Sequence, residues 1–211
     1  MLLNQPQPEA VMSAVDVAGR HSRVELFSDA VFAVAITLLV LDLRVPDVAG
    51  SLTAALADRW PAFAAFAISF VTVGCIWVNH SKVFASVQRV DTVLLFLNLA
   101  LLMCVVLVPF GTSLMASYVT KADTQSHIAA AIFSAIMFLM GVVFNVLYRR
   151  ATPAGATAAH RGSKKVSTLS FAVGPAANGL GIGLAFINPV AVLILFAGVA
   201  VYYLAQELIS T

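Results

Sequence analysis

Charge is scarce in this chain. Of its 211 residues, 12 are Lys or Arg and 10 are Asp or Glu. That is 10% charged against about 25% in an ordinary globular domain, while 61% of the residues are hydrophobic. A mean hydropathy of +0.96 goes with this shortage. It excludes water as the main solvent of the fold and points to lipid. No sign of charge dominates either. A formal net charge of +2 excludes the basic footprint that nucleic-acid binding requires, so no nucleic-acid partner is expected. Cysteine is rarer still: Cys75 and Cys104 both lie inside apolar runs, which excludes a disulfide framework. His, Cys and Glu do not cluster at metal-ligand spacing and no serine sits in a nucleophile elbow, so neither an enzyme nor a resident metal or cofactor is expected. The first 22 residues, with Asn4, Gln5, Pro6, Glu9, Asp16 and Arg20, lack the unbroken apolar stretch of a signal peptide.

Long uncharged runs are what the chain has in quantity. A helix needs about 20 apolar residues to cross roughly 30 Å of hydrocarbon. Such runs occur at 26–43, interrupted by Asp29 near its start and Asp42 near its end, and without any charge at 60–81, 92–120 and 128–148. From Val166 to Gln206 there is no charged residue, enough for two crossings. Asn188-Pro189 divides that stretch, because proline restricts the residue before it and breaks the helical ladder. The expectation is one all-α integral membrane unit over 1–211, with six transmembrane helices, the last two at 166–187 and 189–206 and joined by a tight turn.

Orientation follows from the basic residues. With the N-terminus inside, inner segments hold Arg20, Arg23, Lys82, Arg89, Arg149, Arg150, Arg161, Lys164 and Lys165, and outer ones hold only Arg44, Arg59 and Lys121. The positive-inside rule therefore places both termini in the cytoplasm. An even number of spans agrees with that. The segment Ala151 to Lys165 reads as a solvated cytoplasmic loop whose charges set topology and face lipid headgroups.

The first span carries the unusual chemistry. Its run RVELFSDAVFAVAITLLVLDL places Asp29 beside Ser28 just inside the membrane, where an ionisable group is costly and needs partners. Polar residues available at similar depth are Trp77, Asn79 and His80 in the second span and Asn98 in the third. Trp77 and His80 are three apart and share a helix face. At about 100° per residue, Ala30, Val34, Thr37, Leu38, Leu41 and Val45 fall within a sector roughly 100° wide, with Ser28 and Asp29 well outside it. The charge thus looks away from an aliphatic stripe. Such a stripe suits a lipid contact or a neighbouring helix as well as a pore.

Arg23-Val24-Glu25-Leu26-Phe27-Ser28-Asp29 resembles the Arg-x-x-x-Phe-Ser-Asp signature of the lysosomal and prokaryotic potassium channel family named after transmembrane protein 175. The AVFAVAITLLVLDLRVP run, Trp77-Val78-Asn79-His80 with Phe84, Leu97-Asn98-Leu99 and Pro109-Phe110 extend the resemblance over the first three spans. It implies a potassium-preferring cation channel of the prokaryotic plasma membrane, a single-copy chain working as a homotetramer, with its own copies, the bilayer and permeant monovalent cations as partners. It also implies a pore lined by the first helix, with constrictions at Val34, Thr37 or Leu38, and Leu41. These positions lie on the stripe found from helix geometry. Aliphatic rings gate by dewetting, because an ion must shed hydration to enter a narrow apolar pore. Valine at position 34 stands where members often carry isoleucine or leucine, so its ring is expected to be wider. The Thr37 hydroxyl is a candidate contact for a partly dehydrated cation, or else bonds back to the Ala33 carbonyl.

The same resemblance makes Arg23, Phe27, Ser28, Asp29, Trp77, His80 and Asn98 a structural and gating network near the cytoplasmic end. An alternative built on the same residues is a proton-conducting channel or a cation transporter with an Asp29 and His80 relay. Thr72-Val73-Gly74 copies three letters of the usual potassium filter but lacks the following Tyr-Gly and a re-entrant loop, and is not assigned that role. Gly179 and Gly183 have close-packing spacing, expected to serve contacts within the chain.

Overall fold

A computed structural model describes residues 8–44, 50–87, 90–121, 123–152 and 168–210. In order, the helices are α1 (Pro8–Leu38), which runs on into a 3-10 turn at Leu39–Asp42, the short α2 (Leu52–Ala57), α3 (Trp60–Ala85), α4 (Thr92–Tyr118), α5 (Thr124–Ala151), α6 (Thr168–Ala185) and α7 (Pro189–Ser210). Helix is the expected solution here, since a chain in hydrocarbon must satisfy its backbone hydrogen bonds within each segment. Five helical stretches, His21–Asp42, Trp60–Ala85, Thr92–Tyr118, Thr124–Ala151 and Pro189–Gln206, are long and apolar enough to cross a membrane. In the α6 region the described apolar stretch is Ala176–Ala185, shorter than a crossing. The chain is a multi-pass membrane protein.

Local chemistry fixes the helix ends. Asp91 accepts from the Leu94 amide (2.8 Å) at the start of α4. Asp123 accepts from the amides of Gln125 (3.0 Å) and Ser126 (3.3 Å), so α5 starts at Thr124, four residues ahead of the span expected from 128. Asn188 caps α7 through the amides of Val190 (3.0 Å) and Ala191 (3.2 Å), with Pro189 in the first helical position. These side-chain acceptors satisfy amides that have no partner inside their own helix. Three residues, Phe186 to Asn188, make the turn between α6 and α7, which is the tight connection expected from Asn188-Pro189.

α4 is central: it packs against α1, α3 and α5. α6 lies against α5 and α7, and α7 returns to α3, closing the bundle. α1 has only α3 and α4 as its principal neighbours and so stands at the bundle's edge. Gly111 lets α4 approach α5 closely, since a Cβ there would lie 3.0 Å from Ile136. Gly179 faces Phe138 of α5, whereas a Cβ on Gly183 would meet nothing within 4 Å. The small-residue pair therefore divides, one member packing inside the chain and the other open.

The first span, expected at about 26–43, is a helical stretch as far as Asp42, but its α-helix stops at Leu38 and the next four residues tighten, with the Leu43 amide bonded to the Val40 carbonyl (3.0 Å). One expectation needs correction. Thr37 does bond back to its own helix, but Oγ1 donates to the carbonyl of Val34 (2.8 Å), three residues away, rather than to Ala33. Val45, Arg89 and most of the expected basic loop, 153–165 with Arg161, Lys164 and Lys165, lie outside the described residues.

Candidate pore-lining face and its supporting network

α1 divides lengthwise. Ser28, Phe32, Ala35 and Leu39 recur every three or four residues and are buried against α3 and α4, with Phe32 only 1% exposed. Across the helix, Ala30, Val34, Thr37, Leu38 and Leu41 are exposed: 57% for Val34, 40% for Leu38 and 66% for Leu41. The stripe singled out by periodicity is thus the face that the rest of its own chain leaves uncovered.

Behind it, a directional chain of hydrogen bonds ties three helices together. His80 Nε2 of α3 donates to Asn98 Oδ1 of α4 (2.8 Å), since an amide oxygen only accepts. Asn98 Nδ2 donates to Ser28 Oγ of α1 (2.9 Å). Ser28 Oγ then donates to the Val24 carbonyl (2.8 Å). All three side chains are buried. The His80 ring stacks on Phe84, with centroids 4.4 Å apart, and tilts against Phe32 at 5.4 Å. This arrangement pins the buried face of α1 and so fixes where its opposite face points.

Asp29 has a separate partner. Trp77 Nε1 of α3 donates to its Oδ1 (2.8 Å), and both side chains are exposed on the single subunit. The indole carries a polar N–H on an apolar body and suits a carboxylate at membrane depth. Arg23 and Phe27 are not drawn into either set: both are exposed on the subunit. At about 100° per residue they fall in the same sector as Val34. Asn79 turns back to donate to the Cys75 carbonyl (2.8 Å).

His21 was missed in the sequence. Its Nε2 donates to the Phe84 carbonyl (2.9 Å), and Nδ1 lies 3.4 Å from Glu25 Oε2 one turn on. Its four-residue spacing from Glu25 was the available signal. A second buried link, from Ser69 Oγ to Thr112 Oγ1 (2.7 Å), joins α3 to α4; Thr112 commits its own hydrogen to the Val108 carbonyl (2.8 Å). Among the described residues no group of His, Cys, Asp and Glu is placed to hold a metal ion.

Comparison with known proteins identifies the family. The family model described as endosomal/lysosomal potassium channel TMEM175 matches residues 23–109, which hold the divided α1 and all of its hydrogen-bonded partners in α3 and α4. A potassium channel of Streptomyces collinus is 42% identical over 186 residues, covering 86% of this chain and 90% of its own. The human endosomal/lysosomal proton channel TMEM175 is 42% identical over 86 residues, only 17% of its length. Among solved structures, a lysosomal potassium-selective channel TMEM175 homolog from Chamaesiphon minutus superimposes with a TM-score of 0.78 at 33% identity, covering 89% of this chain and 98% of that one. With a relative this similar along nearly its whole length, the chain belongs to the TMEM175 channel family.

Proposed function

We propose that the protein is a passive, potassium-preferring cation channel, not an enzyme, whose pathway forms where copies of α1 meet around a symmetry axis. The carrying observation is the division of α1: large and hydrogen-bonded side chains turn inward, and an aliphatic row that the described residues leave largely exposed turns outward. One helix offers one narrow row, so a pore needs cyclic symmetry to close a ring; four copies is the reading taken here. Val34, Leu38 and Leu41 then form apolar collars that shut by dewetting. Thr37 supplies oxygen. Because its hydroxyl hydrogen is committed to the Val34 carbonyl, its lone pairs are left to face a dehydrated cation. In this reading α6 completes six crossings, both termini lie in the cytoplasm, and the membrane is the prokaryotic plasma membrane.

A second reading, proton conduction, draws on the vertebrate relatives that are called proton channels and on Asp29, which is exposed on the subunit with Trp77 bonded to one oxygen. Purified protein in sealed liposomes tests both readings. Potassium flux down its gradient without a coupling ion, from particles whose mass corresponds to four chains, supports the first. Proton flux with no potassium flux supports the second. An obligatory co-transported ion rejects the passive mechanism.

A further inference from the structure

The far end of the first span is held by a side chain from the segment before α3. Arg59 sits between α2 and α3, its backbone bonded both ways: its amide to the Leu56 carbonyl (3.1 Å), its carbonyl to the amides of Ala62 (3.0 Å) and Phe63 (3.3 Å). From that fixed point its guanidinium Nη1 donates to the carbonyl of Arg44, two residues beyond the 3-10 turn. A cation bonding a carbonyl just past a helix C-terminus also complements the negative end of the helix dipole.

We infer that Arg59 is a positioning residue for the outermost apolar collar, which it sets by keeping Leu39–Asp42 in the 3-10 form. This rests on the pore reading above. A 3-10 turn rises about 2.0 Å per residue against 1.5 Å in an α-helix, so four residues in that form are roughly 2 Å longer. A tether at the end of the turn selects the longer form; without it, the better hydrogen-bond geometry of the α-helix draws the turn back. The two forms aim Leu41 differently. At about 120° instead of 100° per residue, Leu41 lies roughly 60° further round when counted from Leu38, and it eclipses Leu38 rather than standing in line with Val34. Leu39 holds the start of the turn, fully buried where the turn packs on α3 and α4. Rotation about that anchor moves Leu41 and leaves Val34 in place.

The test uses single cysteines at Val34, Leu38 and Leu41 in the full-length channel, each with Arg59, Arg59→Gln or Arg59→Lys, and reads the rate at which a charged methanethiosulfonate changes potassium current. Thiol reactivity follows access, so Arg59→Gln should change the Leu41→Cys rate by about tenfold and leave the Val34→Cys rate nearly constant, with Arg59→Lys restoring it. Size-exclusion profiles confirm assembly, and Arg59→Met serves as a second variant if the glutamine form does not assemble. A Leu41→Cys rate indifferent to Arg59 overturns the positioning role while the pore reading stands. If the reagent changes current at none of the three cysteines, the pore reading fails and the positioning role fails with it.

Discussion

His80 donates to Asn98 across the α3–α4 interface at 2.8 Å, and the same amide passes a second hydrogen bond, of 2.9 Å, to Ser28 on α1. One side chain thus joins three helices. Asn98→Leu keeps the volume, strands a buried His80 N–H and leaves Ser28 without its donor. The expected cost is about 1–3 kcal/mol. Heating the detergent-solubilised protein and measuring the fraction that stays monodisperse reads this loss. Ser28→Ala added to Asn98→Leu should cost less than the sum of the two single changes, because both remove the same bond. An Asn98→Leu protein as heat-resistant as the parent would show that the link does not stabilise the bundle.

Asp29→Asn retains an oxygen for the Trp77 indole to bond, but removes the charge. Assembly should therefore survive the change. If Asp29 serves only to hold α1 against α3, potassium current also survives. If it carries protons, proton current disappears. Trp77→Phe leaves the carboxylate at membrane depth without its donor and should reduce assembly more than Asp29→Asn does, as scored by size-exclusion chromatography.

Along the exposed row, polarity and oxygen act separately. Val34→Asn and Leu41→Asn should each wet a collar and raise single-channel conductance, since a polar ring lowers the cost of bringing an ion through. Thr37→Val keeps the shape and removes the oxygen; the potassium-to-sodium permeability ratio should fall toward one with current retained. Bi-ionic reversal potentials measure that ratio. An unchanged ratio would separate selectivity from the hydroxyl.

Where α4 begins and α5 ends, Asp91 caps α4 through the Leu94 amide and pairs with Arg150. Both side chains are about half exposed, so the ion pair should contribute at most about 1 kcal/mol. The cap contributes about 0.5–2 kcal/mol. Asp91→Ala should therefore lower the unfolding temperature more than Arg150→Ala. Equal losses would assign the whole effect to the ion pair.

Five crossings were readable because hydrocarbon tolerates so few charges: the runs at 60–81, 128–148 and 189–206 fall inside helices, those at 26–43 and 92–120 overrun their helical stretches by one and two residues, and Asn188-Pro189 marks the turn between α6 and α7. Helix ends were less readable, since absence of charge reports where lipid is and not where hydrogen bonding stops. α1 accordingly begins at Pro8, well before its apolar run, and α3 continues through Lys82 to Ala85. The outward face of α1 followed from periodicity, and Asp29 needed a partner on energetic grounds, but choosing Trp77 among several polar residues required the packing of α1 on α3. Leu39–Asp42 reads LVLD, a composition that suits either helix type. The burial of Leu39 and the bond from distant Arg59 to the Arg44 carbonyl, which accompany the tightening, leave no local trace in the sequence.

The row from Ala30 to Leu41 lies outside its own bundle, and by itself it encloses nothing. A conduit made from such rows would be common property, owned by no individual chain. One faulty copy would then spoil every ring it joined, so in a mixed population the damage would outrun the proportion of bad chains.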